Sequence, residues 1–320
     1  MKKTIIPILC LFVIAFVIFN LDPISNKVAD LIENDPKVII ASSNEYKRDY
    51  EYKYVKQSVD YKPLSKQDLV NIIYSTINNG WETFTFYCPS EYTNCTKDME
   101  ELSGNNILLT HINNFVSPFN SFTNIQTTIS DSGEISLSVK YLYTKEQIEI
   151  INAEISKIIS EKITDNMDTI DKIKVIHDYI INNSDYDIKR NNTGESTYLS
   201  YIAYGPLIDG YATCNGYTDV MALFLDRFGI QNFKVGSTPE EIGEGKTGHV
   251  WNAVYINNEW RHLDLTWDDP VMSDGSHQLF HNYFLITTEE MALADKSDNK
   301  DAEVIEHKFN HSVYQEFNAN

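Results

Sequence analysis

The stretch that decides the fold of the C-terminal half is His249-Val250-Trp251-Asn252-Ala253-Val254-Tyr255-Ile256-Asn257-Asn258-Glu259-Trp260-Arg261-His262-Leu263-Asp264-Leu265-Thr266-Trp267. Val250 to Ile256 and Trp260 to Thr266 carry the β-branched and aromatic residues of strands, joined across Asn257, Asn258 and Glu259. Asparagine accepts positive φ, so Asn257-Asn258 can form a two-residue hairpin turn. Trp251 then faces Asp264, His249 faces Thr266 and Ala253 faces His262. Alternation puts all six side chains on one face. His249 and Asp264 become diagonal neighbours with backbones roughly 7–8 Å apart, within reach of an imidazole and a carboxylate. His262 shares the face but lies a step further from His249, which makes Asp264 the better partner and leaves His262 a supporting or structural role. A three-residue loop would instead put His249 and Asp264 on opposite faces.

Upstream, Cys214 follows Thr213 and opens an apolar pattern with helical spacing: Tyr217, Val220, Met221, Phe224, Leu225 and Phe228, with Gly229 as the stop. A cysteine in the first turn of a buried helix meets the positive end of the macrodipole, where thiolate is favoured over thiol. Backbone N–H groups at the same end can stabilise an oxyanion. The preceding loop, Tyr204 to Gly210, is suited to close backbone approach. Each residue also has a structural reading: Cys214 as a small hydrophobe at a helix start, His249 as a strand polar residue, Asp264 as a carboxylate near a turn. Together they form the pattern of a Cys-His-Asp acyl-transfer site. Asp264 would orient the imidazole of His249, and His249 would form a thiolate–imidazolium pair with Cys214.

The runs Tyr204-Gly205-Pro206-Leu207, Cys214-Asn215-Gly216-Tyr217, His249-Val250-Trp251-Asn252 and Asp264-Leu265-Thr266-Trp267-Asp268-Asp269-Pro270 resemble the bacterial transglutaminase-like superfamily. His177-Asp178-Tyr179-Ile180, Tyr186-Asp187 and Asn282-Tyr283-Phe284-Leu285 extend the resemblance, which spans roughly residues 165 to 290. It implies an α+β fold with a papain-like core, in which a helix bearing Cys214 packs on an antiparallel sheet bearing His249 and Asp264. It also implies that these three are nucleophile, base and orienting acid. The superfamily includes cross-linking enzymes, cysteine peptidases, peptide N-glycanases and binding members, so the resemblance leaves transfer, hydrolysis and a non-catalytic binding or scaffold role open. The expected partner is a protein or peptide, with a cell-wall peptide as one form.

The rest of the chain frames this site. A net charge of −20 over 320 residues would repel a polyanion, and no basic stripe with interleaved aromatics offsets it, so no nucleic-acid partner is expected. Lys2 and Lys3 precede an apolar run from Ile5 to Phe19 broken only by Pro7. No small-x-small cleavage site follows, so residues 1–21 read as an uncleaved signal anchor, with cleavage and secretion as the alternative. The expected location is the cell membrane, single-pass, with the remainder outside the cytoplasm.

Residues 22–45 read as a stalk, 46–160 as a small α+β domain and 161–320 as the transglutaminase-like domain. The second of these segments is also similar to a region found beside such domains in some Gram-positive bacteria. Within it, Ser65 with Asp68 signals a helix start, Glu82 to Tyr87 a strand, and Phe122 to Ser130 with Glu134 to Tyr143 a hairpin across Asp131-Ser132-Gly133. Thr144 with Gln147 is a capping box, and a second long helix is expected over Asp168 to Asn183, with His177 as a buried core histidine. Cys88 and Cys95 can close a short disulfide loop or stay free. No zinc spacing is present, and Asp295, Asp298 and Asp301 lack the glycine and glutamate of a calcium loop, so they read as a solvated loop. Neither a metal nor a cofactor is expected.

Overall fold

Local signals start most of the elements. In the computed structural model, which describes residue 55 and residues 61–237, 248–271, 278–298 and 307–318, Ser65 accepts the Asp68 N–H and starts helix α1 (Lys66–Asn78). Asp68 returns the contact, its carboxylate accepting from the Leu64 N–H and the Ser65 hydroxyl at 2.9 Å each. The face Leu69, Ile72, Ile73 and Ile77 is fully buried, and each such side chain is worth about 1.5–3 kcal/mol relative to exposure. The expected anchor and stalk, and Asp301, lie outside the described residues. Among the described residues, no helix is long and apolar enough to cross a membrane.

Strand β1 (Thr83–Tyr87) leads to helices α2 (Cys95–Ser103) and α3 (Asn106–Asn114), then to the hairpin β2 (Phe122–Ile129) and β3 (Glu134–Tyr141). The three strands pair antiparallel in the order β1-β3-β2, and Gly133 takes the φ of 81° that the turn requires. A disulfide joins Cys88 to Cys95, tying the end of β1 to the start of α2. The Thr144–Gln147 capping box opens α4 (Lys145–Lys162), and Asp168 caps α5 (Thr169–Asn183). Along α5, Ile173, Ile176, His177, Ile180 and Ile181 are buried.

The second half begins with short elements, β4 (Asp185–Tyr186), α6 (Ile188–Thr193), a π-helical turn at Gly205–Asp209 and β5 (Tyr211–Ala212), with β4 and β5 parallel. Helix α7 (Cys214–Arg227) then packs on a sheet of β6 (Asn232–Ser237), β7 (His249–Ile256) and β8 (Glu259–Leu263), antiparallel in that order. Short helix α8 (Leu265–Asp268) follows β8, and α9 (Thr288–Asp298) comes later. The result is a mixed α/β chain with antiparallel sheets.

The hairpin register follows the two-residue turn. Asn257 and Asn258 have φ of 54° and 65°, and Ala253 stands opposite His262. The strand, however, ends earlier than Thr266. Ladder pairing stops at Asn252↔Leu263, because the Asp264 carboxylate accepts the N–H groups of Thr266 and Trp267 and starts α8. The opposition of Trp251 to Asp264 and of His249 to Thr266 is therefore not a ladder pairing. On its other edge, β7 pairs Trp251 with Val235 and His249 with Ser237 of β6.

All described residues fall within one compact unit, Ile40–Asn320. An apolar cluster within it runs from α1, β1, α2 and α3 into Phe233, Trp251, Tyr283 and Tyr314 of the second half. Tyr314 also joins them by polar contacts, its hydroxyl accepting from the Asn114 side-chain amide at 2.7 Å and from the Gly236 N–H at 3.1 Å.

Candidate active site

The position of Cys214 is set by an unusually close backbone contact. A Cβ on Gly216 would lie 2.2 Å from the carbonyl oxygen of Ser200, so only glycine lets the first turn of α7 approach that segment. The same carbonyl accepts the Thr213 N–H at 2.8 Å and the Thr213 hydroxyl at 3.3 Å. Thr213, the N-cap residue, therefore makes no side-chain cap bond. The first-turn N–H groups are left without a side-chain acceptor at the helix's positive end, where Cys214, half-buried and free of any disulfide, is placed.

A cleft of about 390 Å³ opens on Cys214, with Asn215 beside it and Ser237, Gly248 and His249 on the sheet side. Its opposite wall is α3, through Asn106, Thr110, Asn113 and Asn114. A second cleft of about 480 Å³ shares Asn106, Thr110, Asn113 and Asn215 with the first, so the two run together. Apart from His249, the side chains around Cys214 are neutral, and most are amides or hydroxyls. The floor of the second cleft holds a buried pair, Lys234 Nζ 3.0 Å from the Asp219 carboxylate, with Lys234 also reaching the Ser121 hydroxyl and Asp219 accepting from the Tyr143 hydroxyl at 2.7 Å.

His249 is buried at the end of β7, and its Nε2–H donates to Asp264 Oδ2 at 2.5 Å. The structure thus brings two of the three expected site residues into direct contact and puts the third, Cys214, on the wall of the same cleft. Burial alone would push the His249 imidazole down, but the Asp264 carboxylate and the Cys214 thiol outweigh it and hold it well above the ordinary histidine value. Burial would likewise raise Asp264, but its histidine neighbours hold it well below the usual carboxylate range.

His262 is buried one step away. Its Nδ1 accepts from Trp251 Nε1–H at 2.9 Å and its Nε2 faces the Thr288 hydroxyl at 3.0 Å. Burial and the nearby His307 push it well below the histidine value, so it is a neutral, structural ring.

Two features were not legible in the sequence. Asp264 Oδ2 also accepts from Nε2 of His307 at 2.9 Å, and His307 Nδ1 faces Asp295 Oδ1 at 2.7 Å. His307 lies 43 positions from Asp264 in no recognisable motif. Asp295, read from sequence as part of a solvated loop, is buried on α9 and also accepts from the Tyr283 hydroxyl at 3.2 Å, because α9 packs that face inward. The other feature is the pair of carboxylates on His177: the ring is buried as expected, but it lies between Asp178 at 2.9 Å and Asp268 at 3.1 Å. Burial opposes its charge, but the two carboxylates win and raise it.

Among the described residues, folding brings together two groups whose donor atoms are close enough to share an ion, although no metal spacing shows in the sequence: His177, Asp178 and His281, and His249, Asp264 and His307. Both have hydrogen-bond geometry. His281 Nε2 is 2.6 Å from Asp178 Oδ1, and Asp264 Oδ2 is 2.5 and 2.9 Å from its two rings. Ligands of one tetrahedral zinc ion at about 2.0–2.1 Å would stand roughly 3.3 Å apart.

Comparison with known proteins follows the same residues. Residues 157–265, which span Cys214, His249 and Asp264, match the model of the transglutaminase-like superfamily. The kyphoscoliosis peptidase of mouse (Mus musculus) is 19% identical over 180 residues, covering 51% of this chain and 27% of that protein. The human (Homo sapiens) kyphoscoliosis peptidase is 20% identical over 162 residues, covering 47% and 24%. The chain thus spans about a quarter of the length of these curated relatives. Among solved structures, a TGase aligns with a TM-score of 0.34 and 18% identity, covering 51% of this chain and 48% of that one. A candidate cysteine protease from Cytophaga hutchinsonii aligns with a TM-score of 0.29 and 14% identity, covering 49% and 65%.

Proposed function

We propose that this chain, which carries a transglutaminase-like domain over residues 157–265, is a cysteine enzyme that acts on protein or peptide amides through a thioester at Cys214. The single observation that carries the reading is the buried contact of His249 with Asp264 at 2.5 Å, on the wall of the cleft that Cys214 also lines. In the proposed cycle the Cys214 thiolate attacks the amide carbonyl. The first-turn N–H groups of α7 stabilise the oxyanion, and the His249 imidazolium gives its proton to the departing amine as the C–N bond breaks. Neutral His249 then takes a proton from water, or from a second amine, as that nucleophile attacks the thioester. The product acid or new amide leaves, and the thiolate–imidazolium pair is restored. Asp264 orients the ring and balances its charge without taking the proton.

A cleft walled by asparagine and threonine side chains supports a peptide substrate, since amides and hydroxyls pair with backbone N–H and C=O groups. Action outside the cytoplasm is part of the proposal. Its supports are the lysine-led apolar run at the N-terminus and the Cys88–Cys95 disulfide, a bond that persists in oxidising compartments.

The test has two arms. Alkylation of Cys214 by iodoacetamide near neutral pH should fall at least about tenfold in His249→Ala, in the range of a lost base. An alkylation rate equal to that of an ordinary exposed cysteine, unchanged by that substitution, would sink the reading. Intact-mass analysis with a primary amine and a glutamine-bearing protein then separates the reactions: incorporated amine indicates transfer and cleaved product indicates hydrolysis. Neither product, with intact ligand binding in Cys214→Ala, would favour a non-catalytic binding module.

A further inference from the structure

Beyond Cys214, His249 and Asp264, the buried polar chain continues. Asp264 spends its four acceptor contacts on four donors: Oδ1 on the N–H groups of Thr266 at 2.8 Å and Trp267 at 3.2 Å, and Oδ2 on the Nε2 atoms of His249 and His307. One carboxylate oxygen therefore serves two imidazoles, whose ring centroids are 5.3 Å apart and nearly perpendicular. On its far side His307 meets a second carboxylate, Asp295. A neutral imidazole has one N–H, yet both nitrogens of His307 face carboxylate oxygens. Only the imidazolium can donate to both.

The ring's other neighbours suit a cation. Tyr283 stacks on it at 4.9 Å, and Trp251 and Trp267 lie at 5.1 and 5.3 Å. The titratable groups facing the cluster are Cys214 beside His249, Asp264, Asp295, Asp268 through its repulsion with Asp264, the neutral His262, and Tyr283, whose hydroxyl donates to Asp295. Signs then alternate along the row behind Cys214, from the His249 imidazolium through the Asp264 carboxylate and the His307 imidazolium to the Asp295 carboxylate. The two rings, however, compete for one oxygen and repel each other.

We propose that His307, held by Asp295, is a positioning residue for His249: by sharing Asp264 Oδ2 it fixes where that carboxylate points and couples the proton affinity of one ring to that of the other. The role in Cys214 chemistry rests on the proposed function above, whereas the coupling of the rings stands on their geometry. Burial opposes a charge on His307, while Asp264 and Asp295 raise its affinity for the proton and the charge on His249 lowers it. Release of the Nε2 proton from His307 would leave Asp264 Oδ2 to His249 and strengthen the imidazolium there. The chain would thus sense pH one residue behind the reacting pair.

The experiment uses the full chain with ring-labelled histidine, titrated by NMR from pH 5 to 10 as wild type, His307→Gln, His249→Gln and Asp295→Asn. Coupling predicts that the lower of the two wild-type midpoints lies about 1 unit below the midpoint of whichever ring remains in either glutamine variant, the scale of a like charge at this range. The wild-type resonances of His249 and His307 should each show both inflections, a readout that survives if a variant fails to fold. Asp295→Asn should lower the His307 midpoint. The pH profile of Cys214 alkylation by iodoacetamide should carry an inflection at the lower midpoint that His307→Gln removes. A folded His307→Gln protein that leaves the His249 midpoint and the alkylation profile in place, with wild-type resonances that titrate singly, overturns the proposal and makes His307 a packing residue. Alkylation indifferent to His249→Gln, with the ring coupling intact, would instead remove the catalytic reading and leave the coupling standing.

Discussion

Gly216→Ala puts the architecture of the site under direct strain. The added methyl would sit 2.2 Å from the Ser200 carbonyl oxygen, against an ordinary van der Waals contact of 3.4–4 Å, so at least about 1 Å of relief is required. Ser200 is poorly placed to supply it. Its hydroxyl donates to the buried Asp187 carboxylate at 2.6 Å, and its carbonyl holds the Thr213 N–H at 2.8 Å. Moving α7 away by about 1 Å would stretch that last bond to near 3.8 Å and lose it, which costs about 1 kcal/mol. Overpacking adds about 1–3 kcal/mol, for a total of about 2–4 kcal/mol.

With melting points moving about 2–4 °C per kcal/mol at this size, the variant should melt about 5–15 °C below wild type in a circular-dichroism scan. The same movement displaces Cys214, two residues away, relative to His249. A displacement of that size can cost about 100-fold in a reaction that depends on the pair, so iodoacetamide alkylation followed by intact mass should slow even where the variant remains folded. A Gly216→Ala protein that melts within about 2 °C of wild type and alkylates at the wild-type rate would show that the contact is not what positions the cysteine.

Three further outcomes follow from the same structure. Asn258→Val places a β-branched side chain at φ 65° in the β7–β8 turn and should cost about 1–2 kcal/mol by chemical denaturation, while Asn258→Gly should be neutral or slightly stabilising; equal stability of all three would refute the turn assignment. Reducing the Cys88–Cys95 bond frees the ends of a short loop and should lower stability by about 2–3 kcal/mol on the chain-entropy scale, read as a lower denaturant midpoint in Cys88→Ser/Cys95→Ser; an unchanged midpoint would count against it.

Stability should peak at about pH 5–6. Asp264 and Asp178 are depressed in the fold, so their contribution is complete above the unfolded carboxylate value and is lost as pH falls. His177, His249 and His307 are raised, so theirs is complete below the unfolded histidine value and is lost as pH climbs through the folded ones. Asp268 and Glu316, raised by burial, add to the alkaline loss, Glu316 up to about 7; His262, held neutral, opposes it up to the ordinary histidine value. A melting temperature that rises steadily from pH 5.5 to 8.5 would contradict the balance.

What could be read from the sequence was whatever a short segment determines by itself. Ser65, Thr144 and Asp168 announce their helices because the cap and the N–H it binds are three residues apart. The β7–β8 register was legible because two asparagines at positive φ fix it and β7 and β8 are neighbours in the chain. Strand β6 gave no such signal. Both its faces are covered, even Lys234 is buried, and a strand buried on both sides loses its alternation. Helix α2 was missed because only Cys95, Met99 and Leu102 form its inward stripe, and α3 because its apolar residues run consecutively, Ile107-Leu108-Leu109, with Ile107 exposed, which blurs the helical period. The end of β8 was misread because Leu265 and Thr266 suit a strand, while the capping by Asp264 depends on where that carboxylate is held.

That last point explains why a four-residue helix matters to the site. Taken alone, α8 is far too short to persist in water, because nucleation costs more than its few hydrogen bonds return. It is held by its two acidic ends. Asp264 caps it at the start and is fixed by His249 and His307. Asp268 closes it, bonded to His177 of α5 at 3.1 Å and to the Tyr283 N–H at 2.9 Å. Each clamp brings in a histidine from a distant part of the chain, so the direction in which Asp264 presents its carboxylate to His249 depends on α5, α9 and the segment around His307 as well as on β8. A change that loosens any of these should first disturb the His249–Asp264 contact and only later the hairpin, whose backbone ladder ends before Asp264 begins.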